Sequence, residues 1–342
     1  MCSILRAPVN VSSRLNLTAV VAVLALLDLL VDRLLTRLFL PASSLAHPLV
    51  QTLVAVGAFV SYLGGALAVM VFASSFLGLI RRRELFPRSL RMVASILAVF
   101  FVLLFAACLS SYPGSPRLFV QLRTSQAFLA WLIILALWRA PLPGRTKLGA
   151  TLFMLPSILH TAALFCGEAG ATRGGPLAGQ LARVGELIAF LAAGGAPLLL
   201  PGSLRGLRPT WVAWLLGGLA VAGLGAVAAT KFDLLQILAL YGLRIDLPPL
   251  SVPGAWAYLL LFGLALFGLV TALVPALRAG GGDRLLGYGI VIVVTAGYQI
   301  ASPSDLAIST AGLLAMAVGI SRRATAARPP TPPLAVPLPA PA

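Results

Sequence analysis

Residues 81–91 read RRRELFPRSLR, which places five arginines within eleven positions between two long apolar segments. The connection before the first of those segments, residues 41–48, contains neither lysine nor arginine. Cytoplasmic loops of membrane proteins hold the excess of Lys and Arg. The arginine-rich loop is therefore predicted to lie in the cytoplasm, with the chain crossing a membrane on both sides of it.

The overall composition supports a membrane protein. Hydrophobic residues make up 60% of the 342 residues and charged residues only 10%, whereas about a quarter of a soluble domain is charged. The net charge is +16, and the basic residues sit in short loops, where they orient helices and contact anionic lipid headgroups. The predicted partners are the lipid bilayer and its anionic headgroups, through residues 81–91. Nucleic acid is not a predicted partner, because no folded basic face exists to carry it.

Ten segments have the length and apolar character of membrane spans, for which about 20 residues are needed. The fourth is short unless flanking residues join it, and the seventh is rich in Gly and Ala. Between the seventh and eighth, residues 231–241 are apolar but too short to span, so we expect an interfacial helix or a re-entrant turn. The ten predicted spans are 15–35, 49–76, 92–112, 127–138, 148–166, 181–200, 211–230, 256–277, 285–301 and 306–320.

The distribution of basic residues predicts the orientation of these spans. With residues 1–14 placed inside, 17 of the 25 basic residues fall on the cytoplasmic side. The fold class predicted is therefore an all-α, polytopic membrane protein of about ten transmembrane helices, with the N- and C-termini both cytoplasmic. The eight basic residues on the other side are Arg33, Arg37, Arg117, Arg123, Arg173, Arg183, Lys231 and Arg244.

Two local patterns refine the end of the chain. The link Ser302-Pro303-Ser304-Asp305 has the order of a helix start, with Ser as the cap, Pro in the first turn and Asp closing a capping box. The ninth and tenth spans are therefore predicted to form a tight hairpin, which completes a helical bundle over residues 15–322. Residues 323–342 are rich in proline and are predicted to form a disordered cytoplasmic tail.

Ionisable residues inside membrane spans are candidate functional residues, because burying a charge in a bilayer is costly. Asp28 and Asp32 lie four residues apart on one face of the first span. The alternative is that the span ends early and that Asp32 pairs with Arg33 at the outer interface. His160 is the one histidine within a span and lies at a depth similar to that of Asp28. A packing histidine held by a hydrogen bond is the alternative for His160.

The sixth span carries Glu186 near its outer end and a candidate helix break farther in, at Gly194, Gly195 and Pro197. Such a break exposes backbone carbonyls in transporters with discontinuous helices, although a plain proline kink has the same sequence pattern. The candidate residues Asp28, Asp32, His160 and Glu186 all fall in the outer half of the membrane or at its outer surface, which predicts a polar pocket that opens outward.

The sequence contains none of the usual enzyme motifs and no metal-ligand spacing among its three cysteines and two histidines. No catalytic residue, cofactor or metal is predicted. Three functions remain open: a transporter or flippase-like carrier, a non-catalytic subunit of a membrane complex with a protein partner, and a membrane-embedded enzyme acting on lipid or isoprenoid substrates. The abundance of Arg, Ala, Gly and Pro is typical of GC-rich bacteria, so a bacterial inner membrane is the expected location.

Overall fold

A computed structural model describes residues 11–28, 48–82, 85–111, 116–169, 175–194, 199, 282–297 and 302–326. These ranges are helical apart from short connecting turns, and they contain no strand. The predicted spans at 211–230 and 256–277, the segment 231–241 and most of the tail lie outside the described residues. The eight helices are α1 (Val11–Asp28), α2 (Pro48–Ile80), α3 (Arg88–Ser111), α4 (Pro116–Arg139), α5 (Gly144–Ala169), α6 (Gly175–Gly194), α7 (Gly282–Gly297) and α8 (Pro303–Ala326).

Five of these helices are long and apolar enough to cross a membrane. They have the length that the hydrocarbon core requires, and each satisfies its own backbone hydrogen bonds as a lipid environment demands. Two shorter apolar helices accompany them, Leu15–Asp28 and Arg284–Ala296. The five long segments are Val54–Ile80, Arg88–Ser111, Pro116–Arg139, Gly144–Cys166 and Pro303–Arg322.

Helix α8 is the central element of the described bundle. Within its spanning segment, Pro303–Arg322, an 18-residue stretch is buried throughout, whereas only a third of the corresponding stretch of α3 is buried. Helices α2, α4 and α7 pack against α8. Because α8 is rich in alanine and also carries Gly312, neighbouring backbones can approach it closely without a hydrophobic driving force from water. The apolar side chains of α3, such as Ile96 and Leu103, remain exposed in positions suited to lipid.

The packing of α7 against α8 depends on glycine at two crossing points. A Cβ atom at Gly289 would lie 2.7 Å from the backbone nitrogen of Met316 and 2.9 Å from the carbonyl oxygen of Gly312. A Cβ atom at Gly312 would lie 2.7 Å from Cγ2 of Ile292. These separations are below van der Waals contact, so the two helices approach to a distance that only a missing side chain allows.

The hairpin predicted between the last two spans is confirmed, including its capping box. The backbone N–H of Ser302 donates to Oδ2 of Asp305 at 3.0 Å, and the N–H of Asp305 donates to Oγ of Ser302 at 3.1 Å. This reciprocal pair satisfies N–H groups at the start of α8. It does so inside the bundle, because Asp305 is buried.

Helix α4 begins at Pro116, well before residue 127, where the hydropathy of the sequence placed the start of the fourth span. The additional turns include Arg117 and Arg123, which the sequence had assigned to an outer loop. The bundle covers part of these turns, because Nε of Arg123 is buried, whereas Arg117 is exposed. A hydropathy window counts such residues as if they faced lipid.

The arginine-rich loop makes a long-range contact with the end of α8. Nη1 of Arg82 donates to the carbonyl oxygen of Ser321 at 2.6 Å. This bond joins the connection between α2 and α3 to a residue 239 positions later in the chain. The C-terminal end of α2 and the C-terminal part of α8 therefore lie at the same end of the bundle.

Candidate functional site

Among the residues predicted to line a pocket, Asp28 is the last residue of α1 and is buried. Helix α1 packs against α2, α7 and α8. Asp32 lies outside the described residues. The burial of Asp28 fits the rule that intramembrane carboxylates face the interior of a bundle rather than lipid.

His160 and Glu186 lie on two neighbouring helices, α5 and α6, which pack closely along their lengths. The imidazole of His160 packs on Gly185, where a Cβ atom would come within 3.0 Å of Cδ2 and Nε2 of the ring. Glu186 follows Gly185 on α6, but its side chain is not among those described. Glycine at position 185 therefore provides the space in which the histidine ring lies.

Helix α6 ends at Gly194. The rest of the predicted break, Gly195 and Pro197, lies outside the described residues. Because Asp28 lies on α1 and His160 on α5, and these helices have different main packing partners, the shared pocket of Asp28, His160 and Glu186 stays a prediction.

A second group of polar residues lies where α4, α5 and α8 meet. Gln126 on α4 is completely buried. Its Nε2 atom donates to Oγ of Ser309 on α8 at 3.3 Å. Its Oε1 atom is also buried and has no hydrogen-bond partner within the described part of the chain. A buried amide oxygen without a partner is costly. The Oε1 atom of Gln126 would therefore be stabilised by a hydrogen-bond donor.

Arg123 lies one helical turn before Gln126 on α4. Its Nε atom is buried, and none of the described residues accepts a hydrogen bond from it. The Thr161 hydroxyl on α5 donates to the carbonyl of Ser157 at 2.8 Å and lies 3.5 Å from the carbonyl oxygen of Arg123. We call Arg123, Gln126, Thr161 and Ser309 the polar cluster.

The depth of the polar cluster within α4 follows from helix geometry. Arg123 and Gln126 stand seven and ten residues after Pro116, which corresponds to roughly 10 Å and 15 Å along the axis. A guanidinium at such a depth is expensive unless it is paired or lines a water-filled space. The cluster supplies a fixed positive charge, an amide and two hydroxyls, which are groups suited to binding a polar or anionic molecule.

Sequence reasoning missed Arg123 and Gln126, although a signal for Gln126 was present. Leu122, Gln126, Leu129 and Ile133 are all buried, and their spacing of three to four residues defines one face of a helix. A glutamine within an apolar stripe of this period indicates a polar contact inside a bundle. In the described ranges, no three His, Cys, Asp or Glu side chains come together to hold a metal ion.

Comparison with known proteins gives no relative from which a function could be transferred. The chain matches no protein-family model, no curated protein and no solved structure. The residues of the site itself are therefore the basis for any functional proposal.

Proposed function

We propose that this chain is a transporter or flippase-like carrier of the bacterial inner membrane, and that the polar cluster belongs to its outward-facing polar pocket. The observation that carries the proposal is Gln126, which is completely buried and whose Oε1 atom lacks a partner among the described residues. A helix contact with only a structural role is served better by apolar or fully satisfied groups. A substrate site requires polar groups that remain available until the substrate arrives.

The proposed topology has about ten spans with both termini in the cytoplasm. The bias of 17 basic residues to eight supports this arrangement. The hydrogen bond from Arg82 to Ser321 also supports it, because it joins two segments that the arrangement assigns to the cytoplasmic side.

The topology is tested by labelling cysteines at the two ends of α3. Ser89 and Ser110 are both exposed and lie near opposite ends of this helix. In a variant whose three native cysteines are replaced, we expect a membrane-impermeant maleimide added to spheroplasts to label Ser110→Cys. Ser89→Cys should react only after the membrane is opened. The reverse pattern would show that the proposed orientation is wrong.

The carrier function is tested by the access of water to the polar cluster. In the same cysteine-free background, we expect Ser309→Cys to react with an anionic methanethiosulfonate added from the outer side. The matched control is Ile308→Cys, which has the same depth but faces α2, where Cδ1 of Ile308 lies 3.1 Å from the position of a Cβ atom at Gly64. The control should remain unlabelled because this contact is closed to water.

The outcome also separates the carrier from a non-catalytic subunit of a membrane complex. A carrier must admit water to its substrate site from at least one side of the membrane, whereas a packing contact does not. If Ser309→Cys resists the reagent from both sides, the carrier proposal is refuted and the subunit function is favoured.

A further inference from the structure

The unsatisfied groups of the polar cluster are a donor and an acceptor on residues about one helical turn apart in α4. Arg123 and Gln126 are three residues apart on α4, so their side chains share one face of the helix. The Nε–H of Arg123 is the donor and the Oε1 of Gln126 is the acceptor, and both atoms are buried without a partner among the described residues. A ligand that satisfies both must itself carry an acceptor and a donor.

The helices packed against α4 carry two acidic residues, Asp305 and Glu168. These helices are α3, α5 and α8, and α3 contains no Asp or Glu. On α8, Asp305 is held in the capping box with Ser302. None of the described residues accepts a hydrogen bond from Nε of Arg123, so this donor is available to an anion from outside these three helices.

The remaining acid on those helices, Glu168, lies near the end of α5. Because α4 and α5 are antiparallel and Thr161 lies beside Arg123, Glu168 stands roughly 10 Å farther along the axis, seven residues beyond Thr161. Along the helix axis, Glu168 is therefore level with Arg117 of α4 rather than with Arg123.

We propose that the polar cluster binds a phosphate group whose ligand also carries a hydroxyl or an amine. Phosphate oxygens accept the charge-assisted hydrogen bonds of the Arg123 guanidinium, which suits planar anion recognition. The Oε1 atom of Gln126 accepts a hydrogen bond from the neighbouring hydroxyl or amine of the same ligand. A simple carboxylate satisfies only the first of these two groups. This inference rests on the proposed carrier function and names its substrate class.

Two sources offer this chemistry, a lipid headgroup and a phosphorylated solute, and two probes distinguish them. Dihexanoyl phosphatidylglycerol and glycerol 3-phosphate share a glycerol phosphate unit, but only the first has acyl chains. Each is titrated calorimetrically into the purified full-length protein in a non-ionic detergent. Binding of the lipid alone assigns the site to a headgroup, binding of the solute alone assigns it to a soluble phosphate ester, and binding of both shows that the phosphate unit suffices.

The decisive variant is Arg123→Gln, with Arg117→Gln as its matched control. Arg117 lies on the same helix but is exposed. We expect Arg123→Gln to weaken binding of the bound probe by about tenfold or more, because a hydrogen bond to a charged group is lost. Arg117→Gln should change the affinity by less than about twofold, because an exposed charge at this distance is screened.

A second variant separates loss of binding from loss of folding. In Gln126→Glu, the new carboxylate lies one turn from Arg123 and can pair with its guanidinium. We expect this variant to lose probe binding while its thermal unfolding midpoint is retained or raised. The phosphate inference is overturned if the unaltered protein binds neither probe, or if Arg123→Gln and Arg117→Gln bind as the unaltered protein does. Labelling of Ser309→Cys would in that case still support the carrier, so the two proposals fail separately.

Discussion

Replacement of Gly289 with alanine is expected to destabilise the bundle by about 2 kcal/mol or more, which is the upper range for overpacking a well-packed core. The added Cβ atom would lie 2.7 Å from the nitrogen of Met316 and 2.9 Å from the oxygen of Gly312. Both atoms belong to the backbone of α8 and cannot move aside as a flexible side chain does. The thermal unfolding midpoint of the protein in detergent should fall, and less protein should accumulate in the membrane.

The control for this prediction is Gly179→Ala. Gly179 lies within α6, and a Cβ atom there would meet no other atom within 4 Å. Alanine at an unhindered helical position is expected to be neutral or stabilising by up to about 1 kcal/mol, because glycine loses more conformational entropy on folding. An equal decrease of the midpoint in both variants would contradict the role assigned to the crossing of α7 and α8.

Replacement of Asp305 with alanine is expected to cost about 1–2 kcal/mol, because the N–H of Ser302 loses its acceptor. The side-chain oxygen that accepts from the N–H of Ser302 is lost. Because Asp305 is buried, water cannot readily replace that oxygen. The unfolding midpoint in detergent measures the effect.

Asp305→Asn serves as the comparison, since asparagine keeps one oxygen in a side chain of the same shape. It should retain most of the stability that Asp305→Ala loses. If the two variants are equally unstable, the negative charge rather than the cap is the important property. If neither is unstable, the capping box contributes little to the stability of α8.

The capping box could be predicted from sequence because all of its groups lie within four consecutive residues. Ser302, Pro303 and Asp305 favour a helix start through local geometry alone, and the two hydrogen bonds are present as expected. The hairpin of α7 and α8 follows from the same signal. Hydrogen bonds between residues that are close in sequence can be predicted from a single sequence, because they do not depend on how distant segments pack.

The start of α4 and the polar cluster could not be predicted in the same way. Gln126 donates to a serine that lies 183 residues later in the chain. Hydropathy treats Arg123 and Gln126 as interruptions of an apolar segment, whereas the bundle buries Gln126 completely and also buries Nε of Arg123. Which polar residues of a span are covered depends on helix packing, and a single sequence does not encode that packing in any short pattern.

The central position of α8 has a consequence for biosynthesis. This helix follows all the other described helices in the chain, yet it is the one that α2, α4 and α7 surround. During translation, α2 and α4 enter the bilayer before α8, the helix against which they pack, has been synthesised. Until then the side chain of Gln126 must be hydrated or must contact another protein, because lipid tails offer it no hydrogen bond. An insertase or chaperone that shields α4 would therefore have to remain bound until α8 has been synthesised and has entered the bilayer.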